Sequence, residues 1–306
     1  MSTKHIEVYS PASIANLGPG FDVFGLALDE IGDVLRLEVI PDREIRVSVS
    51  GVDADSIPLD ARANSAGAVL QHVMEMNGVG HGFHVEIEKG VPPGKGLGSS
   101  GASAAAAAYA VTQLLGLELS RKEAVKLAAV GEAAVSGSPH ADNVSASLLG
   151  GFTMVDGDYD VVRLEPPIVE IVVVIPDVVY ENKTRLARSL LPETVKLKDA
   201  VLNVGNASRM VAAVALGDST LFGRSICDNL VEPHRAEMIP NFWKVKEAAL
   251  EAGAFGCSIA GGGPSLFAVG GDPGSVGKAM VEAFWDAGVR SEVYETRPSP
   301  LGTRVI

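Results

Sequence analysis

The chain has almost no cysteine: only Cys227 and Cys257 in 306 residues, and they stand far apart. That excludes a disulfide framework and any cysteine-based metal spacing, and it makes a reducing cytoplasm the default compartment. Positive charge is also scarce. Lys and Arg number 25 against 38 Asp and Glu, a net charge of −13. This argues against a nucleic-acid partner, which calls for a basic surface. It suits a protein that handles small molecules, in which any anion must be met by local groups. Long apolar runs are missing as well. Met1 to Ile6 carries Lys4 and His5 but no apolar core, so no signal peptide is read there. The alanine-rich run near residues 102–117 is too short and small-sided to span a bilayer, and no membrane partner is expected. Two common nucleotide fingerprints are absent too. No Gly-Lys-Ser/Thr ends a Walker A loop, and the glycines at 94, 96 and 98 fall as GxGxG rather than GxGxxG.

What is present centres on Val91-Pro92-Pro93-Gly94-Lys95-Gly96-Leu97-Gly98-Ser99-Ser100. Before it, Gly82 to Lys89 alternates, with Phe83, Val85 and Ile87 apolar and His84, Glu86 and Glu88 polar, which is a strand with one buried face. After it, Ala102 to Leu117 is rich in Ala and Leu and free of proline, which is a helix. Glycines between a strand and a helix let backbone N–H groups close on an anion, and the helix N-terminus adds unpaired N–H groups and the positive end of its dipole. Pro93 to Ser100 therefore reads as a phosphate cradle, with the Lys95 side chain expected to point to solvent. A serine-capped turn is the plainer alternative.

A hydrophobic fraction of 47% and 306 residues are enough for two domains. Strands are expected over 5–10, 23–29, 33–40 and 45–49. Pro11 to Asp22 reads as a structured loop, in which Asn16 and Asp22 alone are accounted for as turn residues. A helix is expected over 61–76, with Asn64 as a candidate N-cap. Ser120-Arg121-Lys122-Glu123 is a capping box that opens a helix to about Val135. Glu132 on that helix is flanked by Gly131, Ala133 and Ala134, and it becomes a metal-ligand candidate only if it faces the phosphate loop. His140, Asp142 and Asn143 crowd the next segment, and Pro166-Pro167 looks like a linker. Beyond it, strands are expected over 169–175, 256–259, 265–269 and 289–295, with helices over 184–191, 197–216, 221–228, 241–252 and 275–286. Residues 232–235 read as a break. This β…αββαβ order is compatible with a split βαβ, ferredoxin-like layer.

Three glycine-bearing segments then stand out together. They are Ser13-x-Ala15-Asn16-Leu17-Gly18-x-Gly20-Phe21-Asp22, Pro93-x-x-Gly96-Leu97-Gly98-Ser99-Ser100 and Gly261-x-Gly263-Pro264-Ser265. With Pro139-His140-Ala141-Asp142-Asn143, Thr184-Arg185-x-Ala187-Arg188 and Glu232-Pro233-x-Arg235, they resemble the GHMP kinase family over nearly the whole chain, and within it the homoserine kinases. The resemblance implies an α+β, two-domain fold. Residues 1–165 would form a ribosomal S5 domain 2-like, ATP-binding unit and 166–306 a ferredoxin-like one. It implies ATP- and Mg²⁺-dependent phosphorylation of L-homoserine to O-phospho-L-homoserine, on the route to threonine, in a cytoplasmic homodimer.

By the same resemblance Asn64, Pro93, Gly94, Lys95, Gly96, Leu97, Gly98, Ser99 and Ser100 would hold the nucleotide, and Ser100 with Glu132 the metal. Arg188 and Arg235 suit a carboxylate, Asp22 with Asn16 an ammonium, and Asn143 the hydroxyl, with His140 close by. Asn143, Thr184 and Arg188 form the expected catalytic group. Mevalonate kinase-like members carry an aspartate where Asn143 stands, seven positions before Gly150-Gly151. An amide accepts no proton, so direct attack without a side-chain base is expected. The side chain of Asp142 is expected to point elsewhere. Two alternatives remain at this point: a shikimate or mevalonate kinase of the same family, or a nucleotide-binding sensor.

Overall fold

The computed structural model describes residues 4–137, 140–180 and 183–306, with the side chains of Ser136 and Thr184 also outside that set. Chain order begins with β1 (His5–Ala15), β2 (Phe24–Ile40) and β3 (Ile45–Gly51), followed by α1 (Ser65–Met76) and β4 (Gly82–Lys89). Three helices follow, α2 (Ser99–Leu115), α3 (Arg121–Ser136) and α4 (Asp142–Leu149), and then the hairpin β5 (Phe152–Val155) and β6 (Val161–Leu164). The second half runs β7 (Ile171–Pro176), α5 (Lys183–Ser189), α6 (Leu197–Leu216), α7 (Ser219–Arg224), α8 (Glu232–Arg235) and α9 (Phe242–Glu251). It ends with β8 (Gly256–Ile259), β9 (Leu266–Val269), α10 (Pro273–Trp285), β10 (Ser291–Thr296) and β11 (Arg304–Val305).

The first sheet has the order β11-β1-β2-β4-β3, with β5 beside β2 and β6 beside β5. Its alternating residues Leu35, Leu37, Phe83, Val85 and Ile87 pack on α1, α2 and α3. The alanines of α2 are buried in the middle of this layer, where their small side chains let neighbouring helices close in. The second sheet has the order β10-β7-β9-β8, all neighbours antiparallel, which is the order of a ferredoxin-like layer. The continuous apolar run of β7 is buried on both faces. Val172 and Val174 pack with α9 and α10, while Ile171 and Val173 face Ile14, Leu26, Leu28 and Phe152 of the first sheet. One shared core therefore joins the two sheets and fixes the cleft between them.

Four expectations are corrected. Pro11 to Ala15 is strand, not loop, because Ser13, Ile14 and Ala15 pair with Ala27, Leu26 and Gly25 of β2, and a register shift between Pro11 and Ser13 absorbs the proline. The two strands expected between 23 and 40 are one, which passes its turn signal with Glu30 in the left-handed region. Residues 232–235 are a helical turn, not a break. The Asp228 carboxylate accepts N–H bonds from Leu230, Val231 and Glu232 and organises its start. The helix expected over 221–228 lies at Ser219–Arg224, because Asp218 caps it at the Leu221 N–H. Strands β5, β6 and β11 carried no expectation. The division expected at 165/166 falls in the link between β6 and β7, but β11 returns to the first sheet beside β1.

Candidate active site

Three loops meet where the sheets join. The loop after β1 reaches the third glycine loop through the Asn16 side chain, whose Nδ2 donates to the Gly261 carbonyl at 2.9 Å. The Asn16 amide oxygen accepts the Asp22 N–H at 3.0 Å, so Asn16 sets the position of Asp22. Between β4 and α2, the phosphate loop hangs on the same framework: Ser13 N–H donates to Leu97 O at 3.1 Å and Ser265 N–H to Lys95 O at 3.3 Å. Gly96, with φ 93°, is required here, since a β-carbon would lie 2.3 Å from the Ala260 carbonyl oxygen. Beside the junction lies a cavity of about 280 Å³.

At one end stands the phosphate loop. Ser99 begins α2, so the unpaired N–H groups of that helix start face the site. The Ser99 hydroxyl donates back to Val91 O at 2.9 Å and closes the loop. Beneath it, Lys89 and Asp33 form a buried ion pair; Lys89 Nζ also donates to Ser99 O at 3.0 Å, and Asp33 accepts from the Gly90 and Val91 N–H groups. Burial lowers the Lys89 pKa and the Asp33 charge opposes the shift. Ser100 Oγ donates to Glu132 Oε2 at 2.6 Å. Glu132 can come this close because its neighbour Gly131 sits against α1, where a β-carbon would be 2.4 Å from Ser65 O.

These two oxygen donors fit a Mg²⁺ site that takes its remaining ligands from phosphates and water. Among the described residues there is no cluster of three or more acidic, histidine or cysteine side chains that would make an all-protein cage.

At the other end, Arg188 Nη2 donates to Asp22 Oδ2 at 2.7 Å and lies 3.0 Å from His140 Nδ1. Burial, and then the Arg188 charge, lower the His140 pKa, so its ring is neutral and accepts. Arg235, buried, donates to Ala187 O at 3.3 Å and Gly261 O at 3.1 Å. Both guanidinium groups lie over the Phe21 ring, at 5.6 and 5.1 Å from its centroid. Between the two ends stands Asn143. Its side-chain oxygen accepts from Ser13 Oγ at 3.0 Å, which turns its N–H₂ group to the cavity.

Of the residues expected at the site, Asn16, Asp22, Asn64, Pro93, Gly94, Gly96, Gly98, Ser99, Ser100, Glu132, His140, Asn143, Arg188 and Arg235 line the cavity. Asn64 does so while capping α1, accepting from the Ala66 and Gly67 N–H groups and donating to Pro58 O. Leu97 does not line it; its side chain belongs to the shared apolar core. Lys95 does not either, and it does not point to solvent: its ammonium donates to Val178 O at 3.2 Å. Thr184 sits in α5 with its side chain outside the described set, and Pro139 lies outside the described residues.

Sequence reasoning missed Phe21, Lys89, Lys183 and the wall formed by Ser56, Ile57 and Pro58, and it placed Asp142 away from the site. The buried Asp142 lines the cavity, and burial raises its pKa to about 7.

The first half matches the family of GHMP kinases, N-terminal domain, over residues 64–151, and the second half GHMP kinases, C-terminal, over 210–286. A homoserine kinase of Natronomonas pharaonis is 43% identical over 293 residues, covering 95% of this chain and 97% of its own. One from Pyrococcus abyssi is also 43% identical, over 95% and 96% of the two chains. The crystal structure of homoserine kinase from Cytophaga hutchinsonii superposes with a TM-score of 0.90 at 38% identity, covering 100% of this chain and 98% of the other. Mevalonate kinase from L. major, at 15% identity and a TM-score of 0.72, shares the fold. With both halves matched and relatives this similar along nearly its whole length, the chain belongs to the GHMP kinase family.

Proposed function

We propose that this kinase transfers the γ-phosphoryl group of ATP to the side-chain hydroxyl of L-homoserine. The observation that carries the substrate is the arrangement of Asp22, Arg188 and Arg235 at one end of the cavity. A free α-amino acid presents one carboxylate and one ammonium. Two guanidinium groups and one carboxylate, held together by Phe21 and Asn16, match that pair. Shikimate and mevalonate carry a carboxylate but no ammonium, and would leave Asp22 unmatched. The homoserine kinases among its relatives support the same reading.

The triphosphate lies along the loop amides from Gly94 to Ser100, with its base toward Ile57 and Pro58. Ser100 and Glu132 would hold Mg²⁺, which when bound neutralises charge on the phosphate oxygens. Asn143 donates to the acceptor hydroxyl and aims its lone pair at the γ-phosphorus. The new O–P bond forms as the bond to the bridging oxygen of ADP breaks. The hydroxyl proton leaves late, to a phosphoryl oxygen or water, which suits a loose transition state with little need of a base. Residues up to 165 supply the nucleotide wall, and α5 and α8 beyond 166 supply the two arginines.

The test is coupled ADP release with MgATP and a panel of L-homoserine, L-serine, shikimate and mevalonate. A strong preference for L-homoserine is expected. Preference for an acceptor without an ammonium keeps the kinase and discards the clamp. ATP binding with no acceptor turned over would favour a nucleotide-binding sensor.

A further inference from the structure

The cations around the cavity differ in what already neutralises them. Lys89 pairs with Asp33, and Arg188 with Asp22. Arg235 is spread over two carbonyls and the Phe21 face, and Lys95 is turned out toward Val178. Lys183, the first residue of α5, is unlike these. Its ammonium donates to the Gly263 carbonyl at 2.7 Å, and among the described residues no carboxylate forms an ion pair with it. It stands over the third glycine loop, where a β-carbon on Gly262 would be 3.7 Å from Nζ. It lines the same cavity as Ser100 and Glu132.

Burial and the repulsion of Arg235 and Lys95 hold its pKa down, to about 8, against the attraction of Glu132. An ammonium partly withdrawn from water, with no carboxylate in ion-pair contact among the described residues, is costly, and the cost is relieved when an anion arrives.

We propose that the Lys183 ammonium contacts the γ-phosphoryl oxygens, so that the transferring group lies between the phosphate loop and the third glycine loop. The proposal rests on the kinase reading of the site but not on the identity of the acceptor. Gly96 packs against the Ala260 and Gly263 carbonyls, so the carbonyl that holds Lys183 also borders the phosphate loop. An ammonium has three N–H donors; the Gly263 carbonyl takes one and the others serve phosphoryl oxygens. Charge spreads over those oxygens in the transition state, where a fixed cation has its greatest effect.

The test uses binding without any acceptor. ADP and a non-hydrolysable ATP analogue, each with magnesium, are titrated calorimetrically into the wild-type protein, Lys183→Met and Lys183→Arg. Lys183→Met is expected to weaken the analogue by about tenfold or more while ADP changes less than about twofold, as loss of a charge-assisted hydrogen bond to the third phosphate requires. Lys183→Arg should recover part of that loss. In turnover, kcat should fall with the acceptor KM unchanged. Equal loss for both nucleotides, loss for neither, or a rise confined to the acceptor KM would overturn the proposal. Melting temperatures check the fold, and Lys183→Gln replaces the methionine variant if that one unfolds. A chain that phosphorylates a different hydroxyl would sink the homoserine reading and leave this binding difference intact.

Discussion

The cavity is flanked by two ion pairs of similar chemistry and opposite character. Lys89 and Asp33 are sealed beneath the phosphate loop, their side chains 2% and 0% exposed, and every remaining donor and acceptor meets backbone or Ser103. Arg188 and Asp22 are each 37% exposed, with water on one side and the acceptor end of the cavity on the other. The first pair cannot exchange partners without opening the fold, so it acts as a pin that sets the height of the loop. On the proposed reading of the site the second exchanges partners, because a zwitterion placed between its halves gives each a new one. Between these two pairs, burial and not the type of charge makes the difference.

The largest expected effect is on the sealed pair. Asp33→Ala or Lys89→Met leaves a buried charge alone and should cost about 3–5 kcal/mol of unfolding free energy, read by urea titration. A loss as small as that at the exposed pair would erase the distinction. Next comes Arg235→Leu, which should weaken the acceptor by about 2–5 kcal/mol with the ATP KM unchanged. Equal effects on both substrates would remove Arg235 from the acceptor end.

Asp142 offers a pH test between the two regions, since it feels both Asp22 and Glu132. Its folded pKa of about 7 lies above the unfolded 3.8. Its contribution to stability is therefore full below the unfolded value and is lost as pH rises toward and through 7. Between pH 5.5 and 7.5 that loss should be about 1–2 kcal/mol, and Asp142→Asn should flatten the slope. An unchanged slope in the variant would mean that Asp142 is ionised throughout. The smallest effect is at the exposed pair: Arg188→Leu should change stability by under about 1 kcal/mol while raising the acceptor KM.

Much of this was legible in the residues. The alternation of Gly82 to Lys89 placed β4, and the capping box placed the start of α3. The glycine-bearing motifs carried the residues that now line one cavity. What escaped was long-range. Pro11 to Ala15 looks like a loop until β2 is there to pair with it. The buried ion pair did leave a signal, since Lys89 shares the inward parity of Phe83, Val85 and Ile87, and Asp33 that of Leu35 and Leu37. Two opposite charges on the apolar face of neighbouring strands are expected to meet. Phe21 stood in a motif but without a role, and Lys183 left no mark, because an aromatic in a loop and a lysine at a helix start acquire meaning only from what the fold brings near.

The return of β11 to the edge of β1 has a consequence for biosynthesis. Val8 waits for Val305, so the first sheet stays one strand short until residue 305 has been made. Until then β1 presents an unpaired edge at Val8 and Tyr9, and an emerging polypeptide with such an edge is open to pairing with a neighbour. Chains halted after the cavity residues are complete but before residue 304 should associate more readily than chains that include β11.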